Sequence, residues 1–422
     1  MPHSFAITSV SAREILSSGG KPTVEATVTL ASGVQGKASV PFGASAGKHE
    51  AFILLDKNPK RFSGGGVLKA IKNINTIITP EIKGVDARSQ AEIDAIMLRL
   101  DGTDNKSRLG SNAILAVSLA TARAASNAAQ KPLYAYLRQL MKWPDKQWHL
   151  PNPLMVVIEG GQHADHSTDV QEYLIAPIGK KRVSENIRMG VEVYHALKKI
   201  LQKARLNTNV GNEGAYAPDG ISTNTKPFDF IMSAIKQAGY RPHKDVAIGI
   251  DAAATEFYDG KKYNLAIEKK HLTAAEFIKK CDAWQKKYKL FFMEDCLDED
   301  DWDNWVLLNK KLGKRTLIVG DDVIVTNAKR LERAIDTKAI NSMIIKPNQI
   351  GTLTETIITM AYARKHNIEM IVSHRGGGET NDTFIIDLAV AANAAYVKVG
   401  PSRGERVEKY NRLMEIAAEL KG

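Results

Sequence analysis

Seven polar side chains stand directly behind short apolar runs in the second part of this chain: Glu159, Asp251, Glu294, Asp321, Lys346, His374 and Lys398. Asp251 follows Ile248-Gly249-Ile250, Glu294 follows Phe291-Phe292-Met293, and Asp321 follows Ile318-Val319-Gly320. Three carboxylates brought together without a cation would repel one another and take up protons, so a divalent metal is their natural partner. Oxygen ligands with no cysteine among them point to Mg2+, or Mn2+ in its place, rather than zinc. The adjacent Asp295 and Asp322 read as capping or supporting acids. Lys346 closes the run Met343-Ile344-Ile345, and Lys398 closes Ala395-Tyr396-Val397. A lysine in an apolar setting close to a metal has its pKa lowered, as a general base at neutral pH requires. The second lysine can instead hold an anionic group as a permanent charge.

Glu213 lies in the small-residue stretch 209–218, where backbone rather than packing must place it. It can act as a general acid if burial or a second carboxylate keeps it protonated, and Glu172, between Gln171 and Tyr173, is a candidate for that carboxylate. A lysine base and a glutamic acid across a metal-bound substrate suit removal of a proton next to a carboxylate, then loss of a β-hydroxyl. The metal stabilises the enediolate-like intermediate. Two loops complete the set. Residues 42–50 form a Gly/Ser-rich lid whose Ser45 hydroxyl can reach a metal. Residues 373–379 offer Arg375 and backbone N–H groups as a phosphate cradle.

These residues are far apart in sequence, so a fold must gather them. Eight short β-branched runs, at 154–158, 173–178, 246–250, 290–293, 316–319, 342–345, 369–372 and 396–399, mostly alternate with amphipathic helices. That rhythm predicts a (β/α)8-type barrel, in which strand carboxyl ends converge on the face that carries active sites. No G-x-G-x-x-G turn follows the first run, which argues against a doubly wound open sheet. Before it, segments 23–30 and 35–41 around Gly33 predict a hairpin, and helical periodicity over 67–79, 89–100 and 112–129 adds helices. The expectation is an α+β capping domain over 1–140 and a barrel over 141–422, with a polar, proline-containing junction near 142–145.

The 422 residues have 58 Lys and Arg against 47 Asp and Glu, a net +11. The lysines are scattered along helical stretches such as 279–280 and 310–311, a solvated face rather than a nucleic-acid patch. No apolar run approaches the ~18 residues that span a bilayer. Two cysteines, Cys281 and Cys296, cannot build a disulfide framework, and residues 1–15 hold no apolar leader core, so a reducing, cytoplasmic setting is expected.

Ordered blocks along nearly the whole chain resemble the enolase family. They include Lys21-Pro22-Thr23-Val24-Glu25, Gly43-Ala44-Ser45, Asp101-Gly102-Thr103-Asp104, Gly160-Gly161-Gln162-His163, Gln171-Glu172, Glu213-Gly214, Met293-Glu294-Asp295, Gly320-Asp321-Asp322, Lys346-Pro347-Asn348-Gln349 and Ser373-His374-Arg375. The resemblance implies reversible dehydration of 2-phosphoglycerate to phosphoenolpyruvate. It implies a first Mg2+ on Asp251, Glu294 and Asp321, and a second, substrate-dependent Mg2+ joined by Ser45. Lys346 would take the C2 proton, and Glu213, with Glu172 nearby, would protonate the departing hydroxyl. Arg375 would bind the phosphate and Lys398 the substrate carboxylate, with His163, Gln171, His374 and Gly376 lining the site. A homodimer or higher homo-oligomer is also implied, with no need of nucleic acid or membrane. Departures from the family pattern are Glu159 for asparagine, Asn212 for aspartate, Gly376 for serine in a longer loop, Phe42 and Ala46 in the lid, and 17–20 at the usual subunit interface. A related dehydratase, or a binding paralogue using the basic surface, are the alternatives. Retention of so costly a charge cluster argues against the latter.

Overall fold

The computed structural model describes residues 4–43, 47–179 and 182–420. The first part is an antiparallel sheet in the order β1 (Ile7–Leu16), β2 (Pro22–Leu30) and β3 (Gln35–Ser39). The β2–β3 pair is the expected hairpin, with Ala26 opposite Ala38. β1 pairs with β2 from the other side but buries only Ile7 and Val10, so it lacks the alternation that marks a strand in sequence. Helix Ser111–Ala128 packs on the sheet, and Gln90–Asp101 and Leu133–Met141 pack against that helix. The alanine-rich Ser111–Ala128 lies very close to β3. A side chain on Gly36 would sit 2.4 Å from the Ala120 carbonyl oxygen and 2.0 Å from the Ala124 nitrogen, so only glycine allows this approach.

The eight expected barrel strands all form. They are β4 (Asn152–Glu159), β5 (Glu172–Pro177), β6 (Val246–Asp251), and, after a small hairpin β7 (Tyr263–Leu265) and β8 (Lys270–Leu272), β9 (Phe292–Glu294), β10 (Leu317–Gly320), β11 (Ser342–Ile345), β12 (Glu369–Ser373) and β13 (Tyr396–Val399). They close in the order β10-β11-β12-β13-β4-β5-β6-β9. Alternate residues, among them Leu154, Val156, Leu174, Phe292, Val319, Ile344 and Ile371, fill the interior, and the others face the surrounding helices. Both faces are buried, which explains the near-continuous apolar runs.

One strand departs from the simple repeat. β5 runs antiparallel to β4 and to β6. The β4–β5 connection holds only the short turn Gly161–His163, with no helix to carry the chain back for a parallel pairing. Two helices, Val183–Lys203 and Lys226–Gln237, then separate β5 from β6. The reversal has two consequences. The amino end of β5, with Glu172, lies level with the carboxyl ends of β4 and β6, and the connection between the two helices returns residues 204–225 to that same face.

Candidate active site

Four carboxylates lie side by side on successive barrel strands. In the pairing register Glu159 on β4 faces Glu172 on β5, Glu172 faces Asp251 on β6, and Asp251 faces Glu294 on β9. All four are buried. Asp321 follows β10, Lys346 follows β11, His374 follows β12 and Lys398 lies within β13, so seven strands bring the named residues to their carboxyl ends and the reversed β5 adds Glu172 from its amino end. Glu172, Asp251, Asp321, Lys346, His374 and Lys398 line one polar cavity with Glu213, while Glu159 and Glu294 are not part of its lining.

Lys398 is the electrostatic centre of this mouth. Its Nζ lies 2.8 Å from Glu172 Oε2, 3.0 Å from Asp251 Oδ2 and 2.7 Å from Glu294 Oε2. Burial opposes its charge, but these carboxylates hold its pKa well above the usual lysine value. Burial raises the pKa of Asp251 and Glu294, and mutual repulsion adds to it. Burial also works against the charge of Asp321, yet Lys346 and Lys398 hold that carboxyl below its ordinary value. Lys346 pairs directly with Asp321. Its own pKa is therefore raised, despite burial, which is opposite to the sequence-based expectation. That expectation placed a metal on the carboxylates; with Asp321 free to pair, the attraction outweighs desolvation.

Asp321 is held by more than Lys346. Gln349 Nε2 donates to Asp321 Oδ1 at 2.7 Å, and the Thr326 hydroxyl donates to Gln349 Oε1 at 2.8 Å. The same Thr326 oxygen accepts from the Lys346 backbone N–H at 2.9 Å. Val325 and Thr326 sit at φ 46° and 53°, a conformation that costs a β-branched residue and locates strain beside the site. Asp295 accepts the backbone N–H groups of Asp321 (3.0 Å) and Asp322 (2.8 Å), the capping role expected of it.

Opposite Lys346 stands Glu213, on the returned connection. His374 Nε2 lies 3.2 Å from Glu213 Oε2, and His163 Nδ1 lies 3.5 Å from Glu213 Oε1 and 3.3 Å from Glu172 Oε1. Burial opposes ionisation of Glu213, but the two histidines outweigh it and hold it well below the usual range. Burial disfavours the His163 cation, yet Glu172, Glu213 and Glu159 raise its pKa to about 9. Burial lowers that of His374. Glu159, pushed up to about 8 by burial and by the charge of Glu213, is the protonated neighbour. The proton thus resides on His163 and Glu159 rather than on Glu213.

Arg375 and Glu50 form a buried two-pronged pair, Nη1 to Oε2 at 2.9 Å and Nη2 to Oε1 at 2.8 Å. Glu50 ends the lid segment, which is also tied down by Lys48 and His49 to Asp300, at 3.2 and 2.8 Å. Ser45 lies outside the described residues. Gly376 packs where a side chain would meet Glu213 Oε1 and His163 Nε2, each at 2.7 Å, so the glycine is a steric need of the site. Gln171 is buried and lines the cavity. A wider groove of about 660 Å³ lies elsewhere, lined in part by Arg123, Asp382, Asp387 and Arg412, whose charges are paired with one another.

Sequence reasoning did not single out Glu50, Thr326, Gln349 or Asp300 as partners. Gln349 and Glu50 lay inside quoted motifs; Thr326 carries no signal short of its backbone strain.

The buried atoms His163 Nε2, Gln171 Oε1, Glu294 Oε1 and His374 Nδ1 have no hydrogen-bond partner among the described residues. Such a concentration of unsatisfied polar atoms is what a ligand site leaves when the protein alone is considered. Glu294 Oε1 lies among acids whose only ligand atoms are oxygens, which fits a hard divalent cation. Among the described residues one group made of acids alone, Asp295, Asp321 and Asp322, has oxygens within 4.8 Å of one another, so Asp321 links the strand-end acids to this cluster.

No helix among the described residues is long and apolar enough to cross a membrane. Two family models match the chain: "Enolase, N-terminal domain" over residues 7–137, and "Enolase, C-terminal TIM barrel domain" over residues 147–422. With a three-stranded sheet and helices leading into a closed barrel whose second strand is reversed, the chain belongs to the enolase family.

Proposed function

We propose that the protein is a hydro-lyase that interconverts 2-phosphoglycerate and phosphoenolpyruvate. One observation carries this assignment: a single cavity is lined by an amine, Lys346, and a carboxyl group, Glu213, together with strand-end carboxylates and Arg375. An elimination needs a base for the proton next to the substrate carboxylate and an acid for the leaving hydroxyl. Lys346 takes the C2 proton and Glu213 delivers a proton to the 3-hydroxyl. Glu213 is ionised at rest, so for dehydration it draws on the proton that His163 holds 3.5 Å away, with Glu172 on the other side of that ring. In the hydration direction, the ionised Glu213 is the base that activates water.

Arg375 binds the phosphate in place of Glu50, Lys398 holds the substrate carboxylate, and His163, Gln171, His374 and Gly376 shape the pocket. Asp251, Glu294 and Asp321 would hold Mg2+, and Ser45 a second one that arrives with substrate. Bound there, the cation would withdraw electron density from the substrate carboxylate and relieve Lys346 of its pairing with Asp321. Residues 1–140 serve as the cap and lid of this site, and 141–422 as the barrel that builds it. A homodimer or higher homo-oligomer in a cytoplasmic setting completes the proposal. At the family's usual interface the exposed Arg13 pairs at 2.7 Å with the buried Glu25, which leaves the Arg13 side chain on the surface that a second copy would meet.

The test is the rise in ultraviolet absorbance of phosphoenolpyruvate from 2-phosphoglycerate, with and without Mg2+. Turnover that requires Mg2+ is expected; no turnover in either condition would overturn the assignment.

A further inference from the structure

Glu159 is fully buried, and among the described residues it forms no ion pair. Burying an acidic side chain is costly unless something in its surroundings uses it. Among the described residues its side chain accepts only from backbone N–H groups of the segment that carries Glu213. Both Glu159 oxygens accept from the Glu213 N–H at 3.0 Å, and Oε1 also accepts from the Ala215 N–H at 2.8 Å. Gly211 leaves the room for this: a side chain there would lie 2.7 Å from Glu159 Oε2.

Backbone bonds tie the segment on either side, Asn212 N–H to the His163 carbonyl (3.1 Å) and Tyr216 N–H to the Val157 carbonyl on β4 (3.1 Å), and leave the Glu213 N–H to the Glu159 side chain. The segment consists of Gly211, Asn212, Glu213, Gly214, Ala215 and Tyr216, so packing relies mainly on Tyr216, which stacks on Tyr194 with centroids 4.4 Å apart. The Gly214 carbonyl accepts from Tyr194 Oη (2.6 Å) and Ser402 Oγ (2.8 Å), and the Asn212 carbonyl from Arg403 Nη1 (3.1 Å). Those bonds hold carbonyls. The N–H side of the peptide at Glu213 itself is held by Glu159. Two N–H groups held from a strand end of the barrel are a rigid mount for a side chain on an otherwise irregular loop.

We propose that Glu159 is the positioning residue of Glu213: its carboxyl group fastens the peptide at Glu213 to the end of β4 and so aims the Glu213 carboxyl at the cavity. The titratable groups facing Glu159 are Glu213 and His163, with Glu172 beside it on β5 and Tyr194 behind the loop. This assignment rests on the reading of Glu213 as the acid, but its mechanical part can be tested without substrate.

Glu159→Met removes both acceptors at nearly unchanged volume, and Glu159→Gln keeps one oxygen, which in the wild type already receives both N–H groups. Hydrogen exchange read by mass spectrometry over residues 209–218 should be at least tenfold faster in Glu159→Met. It should be close to wild type in Glu159→Gln, with the helix Val183–Lys203 unchanged in both. Should Glu159→Met fail to fold, Glu159→Asn, whose acceptor is one methylene short, is expected to give the same local acceleration. In the 2-phosphoglycerate assay, Glu159→Met should lower kcat at least tenfold with KM within threefold, and Glu159→Gln should restore most of kcat. Wild-type exchange rates over 209–218 in Glu159→Met would overturn the proposal whether or not the enzyme turns over. So would a normal kcat in an active enzyme. A wild-type protein inactive on 2-phosphoglycerate would refute the proposed function alone, and the exchange comparison would still decide the role of Glu159.

Discussion

Replacing Lys398 by methionine leaves three buried carboxylates, Glu172, Asp251 and Glu294, without the ammonium that now lies 2.7–3.0 Å from each. All four side chains are at most 6% exposed, so solvent offers little relief. Removing one partner of a buried pair costs about 3–5 kcal/mol. Unfolding entropy of about 2.1 cal/mol/K per residue gives about 0.9 kcal/mol/K for a chain of 422 residues, so melting should fall by about 3–6 °C at pH 7. The pH dependence has a definite sign. Lys398 has a raised folded pKa, so its contribution is fully present below the unfolded lysine value and is lost only at strongly alkaline pH. In Lys398→Met, Asp251 and Glu294, already raised, rise further. They are stabilising when protonated, below the unfolded carboxylate value, and destabilising as pH climbs through their folded values. The deficit against wild type should therefore shrink as pH is lowered from 7 towards 5. Millimolar Mg2+ should recover part of it, because a ligand of the native state alone stabilises by mass action. Thermal melts by circular dichroism across pH 5–8, with and without Mg2+, decide the matter. An unchanged melting point at pH 7, or a deficit that widens on acidification, would refute the electrostatic account of this mouth.

Three further outcomes are expected. Glu50→Gln weakens the two-pronged hold on Arg375; inorganic phosphate should then bind severalfold more tightly by isothermal titration, and equal or weaker binding would show that Glu50 does not compete for that guanidinium. Thr326→Val leaves the Lys346 N–H and Gln349 Oε1 without their partner, at a cost of about 1–3 kcal/mol, read as a lower melting point together with a fall in turnover. His163 has a folded pKa near 9, so the stability it provides is fully present below about pH 6.5 and is lost as pH rises through about 9. His163→Asn should flatten the decline in melting temperature between pH 7 and 9.5, and an unaltered slope would place the titration elsewhere.

The strand-end acids Asp251, Glu294 and Asp321 were legible because each is the first charged residue after a run buried on both faces. The barrel's closure followed from the spacing of those runs. Strand direction was not legible: the composition of 172–177 suits either orientation, and only the lack of a helix between β4 and β5 marks the reversal that brings Glu172 and Glu213 into the site. The ionisation pattern was legible in part. Repulsion among Asp251 and Glu294 acts in the expected direction, while Lys346 and Glu213 take the opposite charge states because Asp321 and the two histidines lie closer than sequence spacing reveals. β1 escaped because most of its residues face outward, and the strained 325–326 peptide because backbone conformation leaves no mark in residue type for Val and Thr.

The central claim is that Lys346 removes the C2 proton and Glu213 serves the hydroxyl. Loss of deuterium from 2-phosphoglycerate labelled at C2, followed by nuclear magnetic resonance in the presence of Mg2+, separates the two steps. Wild type should exchange and eliminate. Glu213→Gln should still exchange while eliminating at least about 10²-fold more slowly, and Lys346→Ala should lose both by about 10²–10⁴-fold. Exchange at the wild-type rate in Lys346→Ala would contradict the account.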